Sequence, residues 1–170
     1  MSWNEYLYWY AQDRGGVFFG TEKGGKEGLL FLEEPEGPMV IHTQVTSSGR
    51  YGESRSAVAA VRVKLERPYT LRVGPQSSLR ELLEAQPDFW VQVSPVGPEE
   101  RIHLVEAQVS MEQEVSMRDE VFGLFDEMDQ EARRKEYEDC GFPRQLDALV
   151  ELARTARDAV TAWPMPIKTR

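Results

Sequence analysis

Apolar positions recur along this chain with two different periods, and the change from one to the other marks its elements. Near the start, Trp3, Tyr6, Leu7 and Tyr10 are spaced i, i+3, i+4 and i+7, the signature of one helix face. Ser2 and Glu5 stand in the S-x-x-E arrangement in which each side chain satisfies a backbone donor of the first turn. Gly15-Gly16 ends the helix, since glycine accepts the left-handed cap conformation without a Cβ clash. Tyr8 and Trp9 fall off this face, which predicts a helix sandwiched between the core and a further layer or a partner.

From Val17 the period shortens to that of strands. Val17-Phe18-Phe19 and Leu29-Leu30-Phe31-Leu32 flank the glycine-rich Lys23-Gly24-Gly25-Lys26 and read as a hairpin. Pro35 and Pro38 lack the amide that a sheet ladder needs, so Glu34 to Pro38 is a turn. Met39, Ile41, Thr43 and Val45 then alternate with Val40, His42, Gln44 and Thr46 in the next strand, and a polar loop is expected from Ser47 to Arg55. Val61, Val63 and Leu65 alternate with Arg62, Lys64 and Glu66, a half-buried strand. Tyr69, Leu71 and Val73 repeat the pattern after Arg67-Pro68, which predicts that these two strands pair as an antiparallel hairpin. Ser78 and Glu81 form a second S-x-x-E box ahead of Leu79, Leu82 and Leu83, a helix of about two turns closed by Pro87. Phe89, Val91 and Val93 give a further strand, and one more runs from Ile102 to Val109.

The C-terminal third returns to helical spacing. Met117, Val121, Leu124, Phe125 and Met128 form an apolar stripe with acids on the remaining faces. Gly141 and Pro143 interrupt it, glycine as a cap and proline as a first-turn residue of the next helix. Leu146, Leu149, Val150, Ala153 and Val160 supply that helix's own apolar face, and the short connection predicts an antiparallel helical hairpin. Residues 164–170 follow Trp163 as an extended tail, because Pro164 and Pro166 cannot continue a helix. The expected fold is α+β: an antiparallel sheet of about six or seven strands, sandwich-like or partly closed, with an N-terminal helix and a C-terminal helical hairpin. The β-rich portion spans 1–110 and the hairpin 111–163. No Gly/Pro/Ser-rich linker parts them, so one integrated domain is expected.

Charge changes this picture in one place. Between Met111 and Asp139 eleven acids face four bases, which places −7 of the formal −9 in one predicted helical segment. The overall deficit of Lys and Arg argues against nucleic acid or anionic lipid as partners. A hydrophobic content of 41% is globular rather than disordered. No stretch reaches the roughly 20 apolar residues of a membrane-spanning helix. Met1 to Glu5 carries no positive region with an apolar core behind it, so a secretory signal is not expected. A lone Cys140 cannot make an internal disulfide, and a reducing cytoplasmic setting is the expected compartment.

The chemistry-bearing candidates are few. Gly20 to Glu27 approaches the G-x-x-x-x-G-K-[ST] phosphate loop, but Glu27 offers no hydroxyl to magnesium and strand, not helix, follows. His42 and His103 lie on different strands without the short local spacing of a metal site, so no metal and no cofactor is expected. Cys140 sits at a helix end among Glu138 and Asp139, which disfavours a thiolate nucleophile. Asp126 to Glu131 lacks the ligand spacing and central glycine of a calcium loop, and Glu131 to Lys135 supplies an i, i+4 pair that relieves some repulsion. The Ser47–Ser56 stretch, with Arg50 and Tyr51 at its centre, is the loop best suited to binding.

Without a catalytic constellation, the leading expectation is a non-catalytic protein-interaction module that uses the acidic helix, or the aromatic N-terminal helix, against a protein partner, a basic protein being one version. Its candidate surface comprises Trp9, Arg50, Tyr51, Glu120, Glu127 and Glu131. The alternative is a small-ligand domain with an apolar cavity between sheet and helices, lined by Tyr69, Phe89, Trp90 and Phe125. A hydrolase working through His42 and His103 comes third and requires the two imidazoles to meet in a cleft.

Overall fold

The computed structural model describes residues 1–20, 25–49, 52–84, 88–97, 101–113 and 130–162. Among them, seven strands form one antiparallel sheet: β1 Val17–Phe19, β2 Leu29–Leu32, β3 Met39–Gly49, β4 Gly52–Lys64, β5 Leu71–Val73, β6 Phe89–Pro95 and β7 Ile102–Ser110. Their order across the sheet is β1-β2-β3-β4-β7-β6-β5. The α-helices among the described residues are α1 Trp3–Arg14, α2 Gln130–Asp139 and α3 Phe142–Ala162. The architecture is the α+β one that the sequence predicts.

One face of the sheet is covered. Met39, Ile41, Ala57, Ala59, Val61 and Val105 point to it and are buried. Helix α3 crosses β4 and β7, and α1 lies over β2 and β1. The α3 stripe Leu146, Leu149, Val150, Ala153, Ala156 and Val160 is the buried side of an amphipathic helix. Alanines stand at Ala57, Ala59 and Ala107 in the central strands and at Ala153 and Ala156 in the helix, all fully buried. Small side chains in both layers allow close approach of helix and sheet.

Helix α1 begins inside the protein. Ser2 Oγ accepts the Glu5 amide at 3.0 Å, half of the reciprocal cap. Asn4 stitches the first turn to the β1–β2 connection, its amide donating to Gly25 O and its Oδ1 accepting the Gly28 amide. Gly15 closes the helix with φ +69, the left-handed cap for which glycine carries no steric penalty. Helix α2 rests on α1 and is followed by α3 after Cys140 and Gly141 alone. Gly141 opens the second of these helices, its carbonyl accepting from the Gln145 amide, and its φ is not positive.

Three expectations are corrected. First, the strands around Val63 and Leu71 do not pair: β4 has β3 on one side and β7 on the other, while β5 pairs with β6 at the far edge. With both ladders of β4 occupied, the chain must cross β7 and β6 before β5 can join the sheet. Second, the described part of the expected Ser47 to Arg55 loop, residues 47–49 and 52–55, is strand. The β3–β4 ladder continues through Ser47↔Ser54, Ser48↔Glu53 and Gly49↔Gly52, with a bulge between Val45 and Ser47. This part of the ribbon lies beyond the end of β7, whose pairing starts at Ser56↔Ser110, so polar residues suit both its faces. Third, the second S-x-x-E box does not form. Arg80–Leu83 is a 3-10 turn without a side-chain cap, and Ser77 Oγ accepts the Leu79 amide instead.

Candidate functional site

The two histidines are on opposite faces of the sheet. His42 pairs with Val58 and points away from the helices, while His103 pairs with Val63 and points into the core. His103 has no exposed surface and both its nitrogens are engaged: Nε2 accepts the Tyr69 amide at 2.9 Å and Nδ1 lies 2.8 Å from Arg101 O. The tautomer that fits both bonds carries its proton on Nδ1. This ring pins the long crossing from β4 to β5, so its role is architectural. His42 Nδ1 lies 3.5 Å from Thr43 O, too long to orient a general base. The structure does not supply the shared cleft that a His42/His103 hydrolase needs.

Of the predicted interaction residues, Trp9 and Glu131 are described, and Arg50, Tyr51, Glu120 and Glu127 lie outside the described residues, as does the Met117 to Met128 stripe with Phe125. Trp9 is half-buried between layers. The Arg134 guanidinium stacks 5.1 Å from its ring centre and Tyr8 meets it edge-on. Arg134 also reaches Asp13 at 2.6 Å and Glu138 at 2.8 Å, while Arg133 Nε is 3.2 Å from Glu5 Oε2. Arg133 and Arg134 therefore turn inward to α1, while Glu131, Lys135, Glu136, Glu138 and Asp139 are exposed. The Glu131–Lys135 pair is absent among the described ion pairs. The i, i+4 pair that forms is Arg134–Glu138, because the planar guanidinium can hold two acids at once.

Glu5 is a carboxylate only 1% exposed. Burial pushes its pKa above the ordinary range, against the pull of Arg133, the N-terminal amine and the Ser2 amide. Trp9 Nε1 faces it without a close hydrogen bond. Cys140 follows the sequence expectation: burial raises the thiol's pKa first, with Glu136 and Asp139 adding to it, and Sγ is 3.1 Å from Tyr137 O. Among the described residues no three His, Cys, Asp or Glu side chains converge on a point.

In the β3–β4 arm the functional-looking residue is Arg55, buried on the helix side. Its Nε donates to Thr43 Oγ1, Nη2 to Lys26 O and Thr43 O, and Nη1 to Glu53. Every bond is to the protein's own framework, so this cation ties the arm to the β1–β2 connection. Glu53, held below the usual carboxylate range by Lys26 and Arg55, closes the network.

The sheet face that none of the described helices covers is where unspent side chains gather. Register aligns Val17, Phe31, Val40 and Ala60 across four strands, with Phe19 and Leu29 paired alongside. Phe19 is 59% and Val17 54% exposed, and Phe19 packs edge-on to Phe31 at 5.4 Å. At the other end, Trp90 on β6 is exposed beside Gln108 on β7. A separate cleft of about 500 Å³ lies between the ends of β6 and β7 and α3, lined by Phe89, Val109, Leu149 and Leu152, with Asp88 and Gln145 among its polar residues. Of the described members of the predicted cavity lining, Tyr69, Phe89 and Trp90, Phe89 alone enters it. Trp90 cannot, because adjacent strand residues point to opposite faces. The sequence concealed the open face because Val17-Phe18-Phe19 is a continuous apolar run with no alternation to say which side is wet.

Compared with known proteins, the chain matches no family model, no curated protein and no solved structure.

Proposed function

We propose that the protein is a non-catalytic interaction module and that its partner, a basic protein, docks on the open face of the sheet at the β1–β4 end. The observation that carries this reading is the exposure of Val17, Phe19 and Leu29 side by side on a face that no described helix covers. Clustered apolar surface rimmed by polar residues is characteristic of docking sites. The net charge of −9, concentrated in residues 111–139, adds a field that speeds encounter with a basic partner. The acidic segment steers, and the apolar strands hold.

Affinity capture from cells that express the protein tests it, with the wild type and a Val17→Glu/Phe19→Glu variant as baits. The reading expects a partner that the variant loses while its unfolding temperature stays within a few degrees of the wild type. A partner retained equally by both contradicts the docking surface. Reversing Glu120, Glu127 and Glu131 to Lys is expected to slow association and flatten its salt dependence, leaving dissociation nearly unchanged.

A second reading, a small-ligand domain, has its own support. The cleft beside Phe89 has the volume of a small-molecule pocket and combines apolar walls with Asp88 and Gln145. Leu149→Trp fills it, and loss of a ligand that co-purifies with the wild type would favour this reading over docking.

A further inference from the structure

At the β5–β6–β7 end of the open face an indole is held as a platform. Trp90 lies over Gly74, where any Cβ would overlap its Cζ3 and Cε3 atoms. Glycine here permits the six-membered ring of the indole to approach the backbone closely, while 49% of the residue stays exposed. A tryptophan tucked for stability alone would bury that area, since an exposed aromatic surface contributes nothing to the core.

The surroundings of the ring are polar and uncommitted. Register places Gln108 directly opposite Trp90, Glu106 opposite Gln92, and Gln92 opposite Arg72. These four side chains and the indole line a shallow depression of about 260 Å³. Among the described residues none of the four makes a side-chain hydrogen bond or ion pair, which leaves their donors and acceptors available to a ligand. The set combines two amides, each both donor and acceptor, with one carboxylate and one guanidinium. Its charges cancel.

We infer that this platform is a binding site for a neutral saccharide, one pyranose ring stacking its C–H face on Trp90 while its hydroxyls pair with Gln92, Gln108, Glu106 and Arg72. A sugar ring offers a flat apolar face ringed by groups that both donate and accept, which is the complement of this arrangement. A nucleic acid would stack on the indole equally well, but its phosphates need clustered cations, and the site has one Arg beside one Glu on a chain of net charge −9. The site stands at the opposite end of the face from the docking surface and does not depend on it.

Titration of the isotope-labelled full chain with cellohexaose, chitohexaose, laminarihexaose, maltohexaose and mannohexaose, followed by NMR, tests this assignment. At least one hexasaccharide is expected to shift the Trp90 indole N–H and the Gln92 and Gln108 side-chain amides in a saturable way. Trp90→Ala, and Gln108→Ala as a variant that leaves the sheet intact, should each weaken binding about tenfold or more. The proposal is overturned if none of the five moves the Trp90 signal at millimolar concentration, if the shifts persist in Trp90→Ala, or if an oligothymidylate saturates the site while every sugar fails.

Discussion

The imidazole of His103 spends both nitrogens on backbone groups, joining Tyr69 in the crossing segment to Arg101 before β7. Replacing it by Ala strands the Tyr69 amide and opens a void in a fully buried position. A cost of about 3 kcal/mol is expected in chemical denaturation, one part cavity and one part lost hydrogen bonds. His42→Ala, on the open face, is expected to cost less than about 0.5 kcal/mol. The reverse ranking would show that the tautomer and its two bonds have been misassigned. Asp147 makes a different residue-scale case. It accepts from the Tyr10 hydroxyl and from Arg14, tying α3 to α1. Burial pushes its carboxyl up, but those hydrogen bonds and the Arg14 charge outweigh burial and hold it below the ordinary aspartate range. Stability from a depressed carboxyl is fully present above its unfolded value of about 3.9 and is lost as pH falls through the folded value. Wild type and Asp147→Asn should therefore differ most near neutral pH and converge in acid. A difference that grows on acidification would contradict the clamp.

Elements with a clean period were legible from their residues. The α1 face, the alternations of β3, β4 and β6, and the α3 stripe all fall where spacing puts them. What spacing does not carry is the choice of strand partner. Nothing in Val61 to Val73 says that β7 will take the edge of β4, because that choice is made by residues some forty positions further along. The β3–β4 arm was hidden for a different reason. Toward its tip, at Ser47, Ser48, Glu53 and Ser54, the ribbon is exposed on both faces and needs no apolar alternation, so its composition looks like a loop. Hydrogen exchange distinguishes the two descriptions. Alternate amides along residues 47–49 and 52–55 should be protected, as one in two points into the ladder, whereas uniformly fast exchange would restore the loop. At the front of α1, Ser2→Ala is expected to cost about 1 kcal/mol through the lost cap.

On the scale of the whole molecule, two layers of helix lie on one side of the sheet and none of the described helices on the other. The concentration of acid in residues 111–139 was legible in the sequence as a charge count, and the described part of it shows why it does not fall apart: Arg133 and Arg134 turn toward Glu5 and Asp13 and send the acids outward. The candidate site was much less legible. Trp9 proved to be occupied by Arg134, and the apolar rows of the open face emerge only once register sets Val17 beside Phe31 and Val40. Fully burying a side chain such as Phe19 is worth about 2 to 3 kcal/mol, so leaving this row wet forgoes stability that a partner can recover. Hydroxyl-radical footprinting of the protein, alone and with its captured partner, tests that claim most directly. The account predicts that oxidation of Phe19 and Leu29 falls on binding while that of exposed Leu82, beyond the far edge of the sheet, is unchanged. Equal oxidation of Phe19 with and without the partner would contradict it.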